Sequence, residues 1–220
     1  IDGLRRLEYR GYDSAGVAVV ADGGLETRRA EGKLDRLIER LREQPLSGSY
    51  GVAHTRWATH GKPTERNAHP VVDSKNRIAI IHNGIIENFL VIKRRLLAEG
   101  WTFATDTDTE VIANLVSSYY AGDLAAAVKR AVGELEGMYA CALIGTESTL
   151  GDDEEIVAVR QGTPLVLGLG QGESFLASDP AALIAHTRDV IFLDNGDIAR
   201  LTRSQIEIWD RSGAAVKRPV

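Results

Sequence analysis

One cysteine, Cys141, stands in the 220 residues. That excludes an internal disulfide and fits a reducing compartment. No apolar run approaches the roughly 20 residues needed to cross a bilayer. No basic segment followed by a long apolar one opens the chain, so no secretory signal is read. An initiator Met is missing as well: the chain opens on Ile1-Asp2, and the expectation is a start that is processed, truncated or not recorded. An excess of positive charge is also lacking. Lys and Arg number 26 against 31 Asp and Glu, a net charge of −5, which gives no electrostatic case for nucleic acid or an anionic membrane. The short basic clusters Arg28-Arg29 and Lys93-Arg94-Arg95 lie beside acidic residues and read as solvated faces. A cytoplasmic protein with neither nucleic acid nor membrane as partner is expected.

What is present describes a globular chain: 44% hydrophobic and 26% charged, well away from disorder. Nothing marks a linker, so one domain over residues 1–220 is expected. Ile1, Leu4 and Leu7 recur three apart and read as the last two turns of a helix. Residues 17–20 read as a buried strand, and Asp22-Gly23-Gly24 as a hairpin turn into a second strand. Leu34, Leu37, Ile38 and Leu41 follow the amphipathic helical pattern. Strands are predicted at 51–55 and 78–82. Three helices are then marked by Phe89, Ile92 and Leu96, by Val111, Ile112, Leu115, Val116 and Tyr119, and by Leu124, Val128, Ala131, Val132 and Leu135. From Met138 the pattern turns to short strands at 139–144, 155–159, 165–169, 174–177, 190–193 and 197–201. Strands, then helices, then strands, without regular alternation, predict an α+β architecture.

Several motifs have ordinary explanations. Gly168-Leu-Gly170-Gln-Gly172 resembles a dinucleotide loop, but it leads into a strand rather than a helix, so a hairpin turn is predicted. The histidines at 54, 60, 69, 82 and 186 show neither paired helical spacing nor cysteine partners; no metal site and no cofactor are expected. Cys141 sits in the apolar run 138–144, where a small buried hydrophobe is the default.

Three segments carry chemistry. In His54-Thr-Arg-Trp-Ala-Thr-His60-Gly61, the planar fork of Arg56 suits a carboxylate and makes it a candidate anchor for an amino-acid substrate; a strand end with a snorkelling Arg fits equally. In the second segment, around Asn83-Gly84, an Asn-Gly pair after a strand usually means a hairpin. A helical pattern follows here, so the strand is predicted to end in an exposed Asn and a Gly. A side-chain amide beside a glycine N–H would form a two-donor oxyanion hole. In the third, Thr107-x-x-Glu110 fits a capping box. Asp108 then falls in the first helical turn, where the helix dipole favours its ionised form and suits it to a substrate ammonium.

Together these segments resemble the class II glutamine amidotransferases, and within them the glutamine–fructose-6-phosphate aminotransferase family. The resemblance is carried by the stretch from Leu4 to Gly16, with its Tyr9-Arg-Gly-Tyr-Asp-Ser14. It is also carried by His54-Thr-Arg-Trp-Ala-Thr-His-Gly61, His82-Asn-Gly-Ile-Ile-Glu-Asn88 and Thr107-Asp-Thr-Glu110. It continues through Gly162-Thr-Pro-Leu-Val-Leu-Gly-Leu-Gly170 and Phe192-Leu-Asp-Asn-Gly-Asp-Ile198, and so covers nearly the whole chain. Related amidotransferases of purine or asparagine synthesis carry different residues at the first two motifs. The implied fold is the N-terminal-nucleophile αββα sandwich, and the implied activity is hydrolysis of L-glutamine to glutamate and ammonia. The resemblance implies that Arg56 binds the glutamine α-carboxylate and that Asp108 binds the ammonium with the Gly84 backbone. Asn83 and the Gly84 N–H would hold the oxyanion. Trp57, Thr59 and His60 would belong to a loop closing over the substrate, and Arg10 would lie near the nucleophile.

That nucleophile would be a cysteine standing first after Met removal, with its own α-amine as base. It is not in this sequence, and Cys141, lacking an adjacent free amine, does not replace it. A missing first strand and helix beginning, a chain end resembling an interdomain linker, and absent sugar-isomerase domains binding fructose 6-phosphate complete the expectation. The full-length form is expected to be a homo-oligomer. Two alternatives stand beside this reading: a non-catalytic glutamine-binding module of the same fold, and an amidotransferase domain feeding a different acceptor. The Tyr9–Ser14 motif argues against the second.

Overall fold

The computed structural model of the chain describes residues 1–22, 24–58, 61–147 and 154–220. Alternation of side-chain direction along each strand sorts the residues into layers. β1 (Ser14–Ala21), β2 (Gly24–Glu31) and β3 (Gly51–Arg56) form one antiparallel sheet with β1 in the middle. Its outer face carries Ala15 and Ala30, packed under Leu34 and Leu37 of α2 (Leu34–Glu43) and beside Leu4 of α1 (Asp2–Leu7). The Glu8 carboxylate accepts the Leu34 N–H at 3.1 Å, satisfying one of the orphan donors at the start of α2.

The inner face of that sheet presents Ala18 and Val52 to Ala79, Ala142 and Ile144 of a larger sheet. Six strands compose it, ordered β12-β11-β7-β6-β5-β4. They are β4 (Val71–Val72), β5 (Ile78–Ile86), β6 (Gly137–Gly145), β7 (Ile156–Gln161), β11 (Ile198–Leu201) and β12 (Ile206–Trp209). Ala140, Ala158 and Ala199 face the same way and receive Leu165, Leu167, Ile191 and Leu193. These belong to or flank a third, small sheet of β8 (Val166–Leu169), β9 (Ser174–Ala177) and β10 (Val190–Phe192). Alanines on this face let the sheets approach closely. The opposite face of the six-stranded sheet buries Ile78, Ile80, Leu143, Val157 and Val159 under three helices. These are α3 (Phe89–Ala98), α4 (Thr109–Tyr119) and α5 (Leu124–Val132). Helix, sheet, sheet, helix is the predicted four-layer α+β order.

The helices and the hairpins at 21–24 and 169–174 agree with the sequence reading; Gly23 itself lies outside the described residues. Cys141 is buried, on the helix-covered side of β6, and burial pushes its thiol pKa far up. Two predictions need correction. β5 does not end at Asn83-Gly84: it runs to Ile86, with Asn83 opposite Ala140 and Gly84 opposite Tyr139. The capping box at Thr107 is also not formed. The residue before α4 is Asp108, with no side-chain cap bond. Glu110 instead turns back to accept the N–H groups of Ala104 and Thr105 at 2.7 and 2.6 Å and the Thr105 hydroxyl at 2.7 Å. A rigid three-bond loop outcompetes the single reciprocal cap.

Candidate active site

The site grows from an edge left open in the large sheet. β4 is two residues long and pairs only with Ala79 and Ile80, so the rest of β5 has β6 on one side and, among the described residues, no strand on the other. Along an antiparallel strand, successive N–H groups point to opposite edges. Glu87 N–H bonds the Glu136 carbonyl on the β6 side, whereas Ile86 N–H bonds the Asp108 carboxylate at 3.0 Å. Gly84 has the parity of Ile86, so its N–H faces the open edge too. Gly84 sits at φ +121°, and a Cβ there would lie 2.0 Å from the Met138 carbonyl oxygen. Glycine is therefore dictated both by backbone angle and by space.

Arg56 is the last residue of β3, and its side chain is 3% exposed, as is Asp108. It does not snorkel. Both line one cavity of about 550 Å³, together with Arg10, Trp57, Asn83, Gly84 and Ile1. Burial lowers the Arg56 pKa, and the nearby carboxylates of Asp13 and Asp108 oppose that shift; at neutral pH the guanidinium remains charged. Asp13 ties the segment down: its N–H bonds the Arg56 carbonyl at 3.1 Å, and its carboxylate accepts from Ala58 N–H and, at 2.8 Å, from the Ser14 hydroxyl. Trp57 is 62% exposed and packs edge-on against Tyr12, ring centroids 5.6 Å apart. Arg10 faces Asp179 at 3.8 Å. Thr59 and His60 lie outside the described residues.

Behind Asn83 lies a group that no spacing in the sequence marked. His54 Nε2 is 2.9 Å from Asn83 Oδ1, and His54 Nδ1 is 3.3 Å from His69 Nδ1. His69 Nε2 lies 2.9 Å from the Thr109 hydroxyl, which is also 3.0 Å from His82 Nδ1. Burial, reinforced by Arg56, pushes the His54 pKa down to about 4, although Asn83 and Asp13 pull the other way. Burial and the neighbouring histidines and arginines take His69 well below its ordinary value. Gly16 makes room for the cluster, since a Cβ on it would lie 2.3 Å from the His69 carbonyl oxygen. The three histidines come from three separate segments, so only the fold assembles them. The one trace in the sequence is a histidine in a buried-strand pattern without an evident partner.

Six of the eight predicted site residues thus line one cavity, between the open edge of β5 and the end of β3. The family profile for a glutamine amidotransferase domain matches residues 54–185, and the chain belongs to that family. Curated relatives include glutamine–fructose-6-phosphate aminotransferases (isomerizing). The one from Thermus thermophilus is 52% identical over 99% of this chain, and the one from Idiomarina loihiensis is 50% identical over 100%. The chain spans about a third of the length of these relatives, 35% and 36% respectively. Among solved structures, the glutamine phosphoribosylpyrophosphate amidotransferase of B. subtilis superposes with a TM-score of 0.79 at 24% identity. That match covers 97% of this chain and 46% of the other, and it identifies the fold as the N-terminal-nucleophile type. No helix among the described residues is long and apolar enough to cross a membrane.

Proposed function

We propose that this chain is the glutamine-hydrolysing domain of a glutamine–fructose-6-phosphate aminotransferase, supplying ammonia for glucosamine 6-phosphate. The observation that carries the reading is the pair of buried opposite charges, Arg56 and Asp108, on the wall of one cavity. A fixed cation and a fixed anion suit the two ends of an amino-acid zwitterion. Asn83 and Gly84 line the same cavity and would meet the amide end. In the proposed roles, Arg56 holds the α-carboxylate and Asp108 the α-ammonium. The exposed Trp57, with Thr59 and His60, forms the closing loop, and Arg10 borders the nucleophile.

The attacking thiol belongs, in this reading, to a cysteine joined upstream of Ile1, which itself lines the cavity. Its α-amine, with an ordinary pKa near ~7.7–8, takes the thiol proton. Sulfur then bonds to the amide carbon, and negative charge develops on the amide oxygen before Asn83 and the Gly84 N–H. Collapse of the adduct expels ammonia with the transferred proton, leaving a thioester that water cleaves to glutamate. Sugar-isomerase domains of the longer protein would take the ammonia to fructose 6-phosphate. Glutamate release from glutamine tests the reading. A full-length protein beginning with the cysteine should turn over, and a sample whose intact mass proves a start at Ile1 should not. Turnover in the second sample would remove the nucleophile assignment.

A further inference from the structure

We infer that a buried hydrogen-bond chain, Thr109–His69–His54, holds the Asn83 side chain with its amide nitrogen turned to the cavity, making His54 a positioning residue. Resting on the glutaminase reading, this inference supplies what Asn83 lacks by itself. A primary amide is nearly symmetric in shape, and the wrong flip would aim a carbonyl oxygen at a developing oxyanion.

The argument is one of donors and acceptors. A neutral imidazole has one N–H and one bare nitrogen, and burial beside Arg56 and Arg29 keeps His54 and His69 neutral. Asn83 turns Oδ1 toward His54 Nε2, so that nitrogen carries the proton. His54 Nδ1 is then bare and accepts from His69 Nδ1–H. His69 Nε2 is bare in turn and accepts from the Thr109 hydroxyl, whose oxygen receives His82 Nδ1–H. Each proton position forces the next. Reversing the Asn83 amide reverses the tautomers of His54 and His69 and spends an Asn83 N–H on His54. The groups acting on the His54 and His69 rings are Arg56 at the end of β3, Asp13 just before β1, Arg29 from β2, and His82 from β5. The carboxylate among them bears on His54, and the groups acting on His69 among the described residues are histidines and arginines.

Ring-nitrogen NMR at neutral pH reads the tautomers directly and needs no glutamine. His54 should be protonated at Nε2, and His69 and His82 at Nδ1; a His54 protonated at Nδ1 overturns the inference. Thr109→Ser keeps the hydroxyl and should keep the pattern; a changed His69 tautomer in the serine variant also counts against it. The kinetic arm uses the full-length protein with its amino-terminal cysteine. His54→Gln keeps an N–H near the Nε2 position and should retain kcat within about threefold. His54→Leu should lose about ten- to a hundredfold in kcat, the scale of a misplaced catalytic group, with KM unchanged. Equal loss in both variants would make His54 merely structural. Tautomers as stated in a protein that hydrolyses no glutamine would sink the glutaminase reading and leave the histidine chain standing.

Discussion

Asn83 lies inside a nine-residue strand, opposite Ala140, rather than at a strand end. A turn role is therefore gone, and its side chain is the part left to explain. An oxyanion donor matters when charge develops, not while a neutral amide is bound. In the full-length protein, Asn83→Ala should lower kcat on the order of a hundredfold with KM little changed. Steady-state kinetics showing wild-type kcat would end the oxyanion role. The charged pair predicts a different outcome. Arg56→Ala and Asp108→Asn should each weaken glutamine binding, by roughly 1.5–3 kcal/mol for a lost charge-assisted contact, or about ten- to a hundredfold. Asparagine is chosen because it preserves an acceptor for Ile86 N–H. Calorimetry with unchanged affinity for either variant would take that residue out of the site. At this scale the sequence was informative where polar residues crowd a strand end or a helix start, as in 54–61 around Arg56 and 106–110 around Asp108. It was silent on His69 and His82, because a buried histidine looks like any other until its partners are known.

At the scale of elements, periodicity located the five α-helices of the described residues, since each buries one stripe. It missed β4 and β12. A two-residue strand has no period, and residues 206–209 alternate too briefly to separate from a loop. The end of β5 was misplaced for a physical reason. Asn-Gly ordinarily turns the chain, but here Gly84 takes its positive φ within continued pairing to β6. That geometry gives a test. Gly84→Ala would set its Cβ 2.0 Å from the Met138 carbonyl and add about 1–3 kcal/mol of backbone strain. For a chain of this size, such strain lowers Tm by roughly 2–4 °C per kcal/mol, and the clash adds to it. Calorimetric melting at the wild-type temperature would mean that the β5–β6 register is wrong. Gly100, whose added Cβ would meet nothing, shares the positive φ and provides the comparison for strain alone.

For the molecule as a whole, the layer order was legible and the assembly of the buried histidines was not, and the latter governs acid stability. His54 titrates near 4 when folded and near ~6.5 when unfolded, so the native state binds fewer protons between those values. The stabilisation is complete above about pH 6.5 and is lost as pH falls toward and through 4. His54 alone contributes on the order of 3 kcal/mol, and His69 acts in the same direction. Glu155, whose carboxyl pKa burial raises, works against them. Urea unfolding at pH 7 and 4.5 should therefore show a marked loss of stability, and a shallower one in His54→Gln. Equal stability at the two pH values would contradict burial of neutral imidazoles.

The shortness of β4 has a consequence of another kind. A row of unpaired strand N–H and C=O groups is ordinarily a hazard, a template on which a second chain can polymerise. Here the edge of β5 beyond Ile80 opens into a cavity, where Asp108 bonds the Ile86 N–H and the buried Arg56 stands alongside. The cavity, about 550 Å³, has room for a molecule the size of one residue. A bound amino acid would meet the sheet as a strand of length one, complementing an edge that protein is kept from completing. Extending β4 by three or four residues along β5 would cover the Gly84 N–H and erase the site without altering either charged residue.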